Sequence, residues 1–177
     1  MWKKILGIVV LVIVAVLAYA ATRPDTFHVE RSIVVAAPPA RVYALVDDFH
    51  QWGRWSPWEK LDPALRRTFS GAPSGVGAVY EWQGNRDVGQ GRMDIVDATP
   101  PSRIGIALHF IEPFDSTSRT VFSFTPEAGG TRVAWTMDGP ALFVTKLMGL
   151  FVSMDKMIGS DFERGLANLK AAAERPN

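Results

Sequence analysis

Cysteine is absent from all 177 residues. That excludes disulfides, thiolate metal ligands and a cysteine nucleophile, while leaving the compartment open. Histidine is scarce, with only His28, His50 and His109. None of them falls in a metal-ligand spacing such as H-E-x-x-H, so no metal and no cofactor is expected. A basic cluster is also missing. The formal net charge is +1, and Lys3 and Lys4 supply two of the positive charges, so the rest of the chain is nearly neutral. That balance argues against a nucleic-acid partner and against electrostatic docking on anionic lipid. Gly71 to Gly77 is glycine-rich, but it lacks the Lys-Ser/Thr of a phosphate loop. No G-x-S-x-G elbow is found, and order alone suggests no Ser/His/Asp set.

One long uncharged run is present. Ile5 to Ala21 carries no charge and no polar face. A bilayer span needs about 20 apolar residues, with roughly 17 the lower limit. Two membrane readings stay open. The run is an uncleaved single-pass anchor, or it is a signal peptide, because Ala18-Tyr19-Ala20 fits the small-x-small cleavage pattern. Lys3 and Lys4 belong on the cytoplasmic side, so both readings put the remainder on the extracytoplasmic side, secreted or periplasmic if the run is cleaved. The expected organisation is residues 1–22 as anchor or signal peptide, 23–26 as linker, and 27–175 as one ligand-cavity domain. Apolar residues make up 47% and charged residues 21%, which suits a packed domain.

Phe27 to Val35 is β-branched and partly alternating, and reads as a strand ended by Ala37-Pro-Pro39. Val42, Leu45 and Val46 then fall at helical spacing, and Phe49 to Trp55 reads as a second short helix. Strand segments follow at Arg66–Ser70, Ala78–Trp82, Val88–Ala98, Ile104–Phe110, Val121–Phe124 and Val133–Met137, with Ala128-Gly-Gly130 as a tight turn between the last two. From Ala141 to about Ala173, apolar residues recur at three and four, which predicts one long amphipathic helix. The order predicts an α+β domain. A curved antiparallel sheet of about seven strands wraps on the long C-terminal helix.

That element order resembles the SRPBCC, polyketide cyclase-like family of the START-like superfamily. The residues carrying the resemblance are Phe27 to Pro39, Val42 to Val46, Trp52-Gly-Arg-Trp-Ser-Pro-Trp58, Gly77 to Trp82, Gly89 to Ile95 and Phe162 to Leu169. The resemblance covers residues 27 to about 173 and implies a helix-grip fold. It also implies a cavity between sheet and long helix for a hydrophobic small molecule or lipid. It carries over no catalytic residue.

Trp52, Trp55 and Trp58 sit three apart, so they either plug one end of the core or line a cavity mouth. Strand parity puts Met93 with Ile95, and Trp135 with Met137, on faces directed at the long helix. The candidate cavity residues are Trp55, Trp58, Tyr80, Glu81, Trp82, Met93, Phe110, Phe122, Trp135, Met137, Phe151, Met154 and Ile158. Methionine and aromatic side chains suit an adaptable apolar pocket, and the same stripe also suits plain core. Glu81 is base-like if it points inward, with His109 or Tyr80 as its partner. Asp138 reads as the cap of the turn at Gly139-Pro140.

Three functions stay open: a membrane-tethered, non-catalytic binding module, a cyclase- or hydratase-type enzyme, and an envelope interaction domain with a filled core. Ala141 to Val152 is apolar on more than one face. It reads as a buried first half of the long helix, or as a gate that touches lipid.

Overall fold

The computed structural model describes residues 2–150 and 153–175. Helix α1 (Trp2–Ala21) precedes β1 (Thr26–Val35) and α2 (Pro39–Asp47). Two 3-10 turns, Phe49–Arg54 and Trp58–Lys60, lead into β2 (Arg66–Gly71), β3 (Ala78–Gln83), β4 (Gln90–Thr99), β5 (Arg103–Glu112), β6 (Ser116–Glu127) and β7 (Gly130–Pro140). Helices α3 (Phe143–Met148) and α4 (Met154–Glu174) close the chain. The strands form one sheet in the order β1-β7-β6-β5-β4-β3-β2, and every pairing is antiparallel. Six strands run as a meander, and β1 closes on β7. With α4 packed on the sheet, this is the helix-grip arrangement that the sequence implied.

Alternation decides which sheet face is buried. Ile104, Ile106 and Leu108 on β5, Phe122 and Phe124 on β6, and Val133, Trp135 and Met137 on β7 are buried on the concave face. Pro39 starts α2 with its φ already set for a helix. The last carbonyls of α2 have no partner within the helix, and two indoles satisfy them. Trp52 Nε1 donates to the Val46 carbonyl at 3.0 Å, and Trp55 Nε1 donates to the Leu45 carbonyl at 2.8 Å. Trp52 and Trp55 therefore plug the core, with Trp58 half-buried beside them.

The single long helix expected from Ala141 onward is two helices. The apolar period continues through the break, but the chain carries a stop and a start inside it. The Gly149 N–H bonds back to the Thr145 and Leu147 carbonyls, and Ser153 caps the N-terminus of α4 through its hydroxyl. Residues of α3 are half-buried or exposed, and none is buried. In α4, Gly165 sits against the Trp135 ring, where a Cβ would lie 2.7 Å from it, so only glycine allows that approach.

Antiparallel register separates the domain into two ends. One end holds the β1–α2, β4–β5 and β6–β7 connections and the C-terminus of α4, whose Glu174 accepts a bond from the Ala36 N–H at 2.7 Å. The other end holds the α1–β1, β3–β4 and β5–β6 connections, α3 and the start of α4.

Candidate ligand-binding concavity

Cross-strand rows on the concave face differ from one end to the other. Toward the first end, inside the Phe124–Val133 pair, one row runs Ile104, Phe122, Trp135. Its rings bridge sheet to helix, because Trp135 stacks on Phe162 of α4 at 3.9 Å and 8°. Trp55 and Phe122 complete this block edge-on at 5.9 Å. Ile104 and Phe122 are 0% exposed. The next row holds Ile95, Ile106, Thr120 and Met137. Thr120 keeps its hydroxyl bonded, accepting from Trp135 Nε1 at 2.7 Å and donating to the Thr136 carbonyl.

Toward the second end the rows mix large rings with glycine and serine. Tyr80, Met93, Leu108 and Ser118 form one, and Trp82, Gly91, Phe110 and Ser116 form the last. Here the rings lie along the sheet. Trp82 lies across Gly91, where a Cβ would meet its ring at 2.4 Å, and Phe27 lies across Gly139 in the same way. Trp82 Nε1 donates to the Val88 carbonyl, and Phe110 meets the Trp82 ring edge-on at 6.0 Å. Trp82, Phe110, Phe27 and Ile158 are half-buried apolar groups at this end, packed against the core. Gly91 seats the Trp82 ring, and the register of β4 on β5 shifts beside it at Gln90.

Of the candidate cavity residues, Trp55, Phe122 and Trp135 fall in the filled block. Met137 sits in the row beside it. Tyr80 and Met93 fall in a buried row toward the second end, Trp82 and Phe110 in the half-buried last row, and Trp58 meets Trp135 edge-on at 5.8 Å. Met154 is the first residue of α4, and Phe151 lies outside the described residues.

Glu81 is not part of the concavity. It lies on the outer face and pairs with Arg92 at 3.5 Å. Arg92 is flanked by Glu81 on β3 and His109 on β5, so all three form one outer row. His109 bonds Asp115 there at 3.2 Å. The inward Glu81–His109 base pair is therefore overturned by strand parity, since Tyr80 and Trp82 take the inward positions.

A buried carboxylate that sequence reasoning missed is Glu59. Tyr80 Oη donates to its Oε1 at 2.6 Å, and Arg67 Nε donates to its Oε2 at 2.5 Å. Burial, and next the neighbouring Glu59 carboxylate, push the Tyr80 pKa up. The Glu59 hydrogen bond, chiefly, raises that of Arg67. Both carboxylate oxygens are taken, so this group anchors the 3-10 turn at Trp58–Lys60 to β2 and β3. No periodicity marks Glu59. The only signal was a Tyr80 hydroxyl on a strand otherwise bound for the core.

Asp138 does not cap a turn. It pairs across β7 and β1 with His28, Nδ1 to Oδ1 at 2.7 Å, and that bond raises the His28 pKa. His28, Asp138, Arg119 and Ala107 form an outer-face row beside a groove of about 640 Å³, also lined by Val96 and Thr117. At the first end, the Tyr43 hydroxyl and Asp47 Oδ1 are buried without a partner among the described residues. Burial raises the pKa of Asp47, and burial with the nearby Asp47 charge raises that of Tyr43. No group of three or more metal-ligating side chains occurs among the described residues.

The fold and concavity are those of a helix-grip protein. Residues 26–174 match the model of the polyketide cyclase / dehydrase and lipid transport family, and the chain belongs to that family. Solved structures share the fold at low identity. A protein of Chromobacterium violaceum is 18% identical, with 87% of this chain and all of that one covered and a TM-score of 0.61. The di-domain ARO/CYC protein StfQ of the steffimycin biosynthetic pathway is 15% identical over 84% of this chain and 51% of its own, with a TM-score of 0.66. The Aha1 dimer of Colwellia psychrerythraea is 16% identical over 84% of this chain and 96% of its own, with a TM-score of 0.56. No curated protein matches the chain.

Proposed function

We propose that this protein is a membrane-tethered binding module that holds a hydrophobic small molecule or lipid between the open end of its sheet and α4, without catalysing a reaction. The observation that carries this reading is the change in ring posture. At one end Trp135 stands off the sheet onto Phe162, and at the other Trp82 and Phe27 lie flat across glycines. Flat rings leave apolar surface facing the helix, and a mostly apolar concavity with few polar groups suits ligand binding more than chemistry. The outward placement of Glu81 and His109 supports the non-catalytic part. The tether rests on α1, 20 residues at a mean hydropathy of 2.6 and almost wholly exposed. Lys3 and Lys4 favour a cytoplasmic N-terminus and an extracytoplasmic domain.

The experiment is purification of the full chain from membranes, followed by solvent extraction and mass spectrometry of whatever apolar species it carries. The expected result is a defined lipid-like or aromatic species that is lost from Leu108→Trp, which fills the open rows, and retained by Glu81→Gln. A chain that carries nothing and binds no apolar fluorescent probe would favour the second reading, an interaction domain with a filled core. That reading draws on the packed block of Trp55, Phe122, Trp135 and Phe162.

A further inference from the structure

The open end of the domain and the end of α1 are the same place. The Ala141 N–H donates to the Asp25 carbonyl at 2.8 Å, and Lys146 of α3 pairs with the Asp25 carboxylate. Lys146 is 8% exposed in this pair. Helix α3 packs against α1. The one buried residue of α1 is Ala20, and Val16, one turn earlier on the same face, is half-buried. At 1.5 Å per residue, Val16 lies only about 7 Å along the axis from the end of α1. An element resting on that last turn and a half lies at the depth where interfacial helices bury their apolar faces, about 5–10 Å.

The exposed side chains of this end fit that depth. Phe143 and Met148 of α3 are 49% and 52% exposed, and Phe114 in the β5–β6 loop is 51% exposed. Ile111 and Met157 add two further exposed apolar groups beside them. Charge at this end is mixed: Lys146 pairs with Asp25, and Arg23, Glu112, Asp115, Asp155 and Lys156 lie on segments of the same end. A zwitterionic surface suits that balance better than an anionic one.

We propose that α3 and the β5–β6 loop are immersed in the headgroup region of the bilayer that α1 crosses, so that the open end of the concavity faces lipid and not water. This rests on the tethered binding module above and adds its orientation: the ligand would pass between bilayer and concavity past α3. The lack of cysteine makes the test direct, since each introduced thiol is unique. The full chain is reconstituted in phosphatidylcholine nanodiscs with single environment-sensitive labels at Phe114→Cys, Phe143→Cys and Met148→Cys. Val76→Cys, exposed on the β2–β3 loop at the far end, serves as control, and Val10→Cys reports α1 itself. The expected result is blue-shifted emission and severalfold quenching by spin-labelled phosphatidylcholine at 10, 114, 143 and 148, with Val76 unaffected. Quenching at 10 alone overturns the inference and leaves the anchor standing. Lack of quenching at 10 overturns both. A blue shift at 114 and 148 without lipid quenching also overturns it and assigns the patch to a second copy of the chain. Mass spectrometry of the carried species, run on the same samples, separates this outcome from failure of the binding reading.

Discussion

Helix α4 crosses both ends of the domain and is held differently at each. From Phe162 to its C-terminal end, Phe162, Leu166, Leu169, Ala172 and Ala173 are buried in the core. Burying side chains of the Leu and Phe type contributes about 1.5–3 kcal/mol each. Along its first half the hold is polar. Arg31 of β1 donates from Nη1 and Nη2 to the two oxygens of Asp155 at 2.9 Å each, and from Nε to Glu163 at 2.7 Å. Gly159 leaves the space this guanidinium occupies, since a Cβ there would lie 2.1 Å from it. Ion pairs open to solvent contribute little to stability. The difference teaches that the two halves need not move together. The binding function proposed above needs the first to lift while the second stays packed.

The largest test of that contrast is Phe162→Ala. It removes the partner of Trp135 and should cost about 3–5 kcal/mol of unfolding free energy, measured by denaturant titration. A loss under 1 kcal/mol would mean that the filled block does not hold the helix. Next in size is Arg31→Met, which keeps the stem and removes the donors. Hydrogen exchange should rise across 154–161 and stay unchanged across 166–173, with only a small shift in Tm. Equal loss of protection in both halves would erase the distinction. Acid should mimic this substitution. The Arg31 bond, foremost, holds the Asp155 carboxyl below its usual 3.8. Its contribution is therefore complete above that value and lost as pH falls through the lower folded value.

The smallest effect concerns the first end. Burial raises the folded pKa of Asp47, so the folded state takes up a proton more readily than the unfolded chain. Stability should fall as pH rises from the usual 3.8 through the folded value. Asp47→Asn removes that cost, so Tm should rise slightly at pH 7 and be unchanged well below pH 4, as read by calorimetry. A gain of the same size at both pH values would break the assignment.

Much of this fold was legible in the sequence, and the reasons are local. Ile104, Ile106, Leu108 and Phe110 alternate, and one face of their strand is buried or half-buried. The charge-free run gave α1. The inward faces carrying Met93 with Ile95, and Trp135 with Met137, follow from parity alone. What stayed illegible depends on pairings distant in the chain. Glu81 could not be assigned a face until the register with Arg92 and His109 was known. Glu59 meets Tyr80 only once the Trp58 turn folds back over β3. His28 meets Asp138, and Arg31 meets Asp155, through the closure of β1 on β7 and the seating of α4. The break between α3 and α4 was local and legible in principle, because Gly149 and Ser153 are stop and start residues, but an unbroken apolar period concealed it.

The closure of β1 on β7 also constrains how the protein is made. Strand β1 follows α1 directly, yet its sheet partner is the last strand synthesised, roughly a hundred residues later. During translation β1 waits beside the nascent helix with its backbone groups unmatched, while the meander from β2 to β7 has neighbours as it emerges. The final docking joins the earliest segment of the domain to the newest, so a polypeptide stalled before Pro140 exposes an incomplete strand edge.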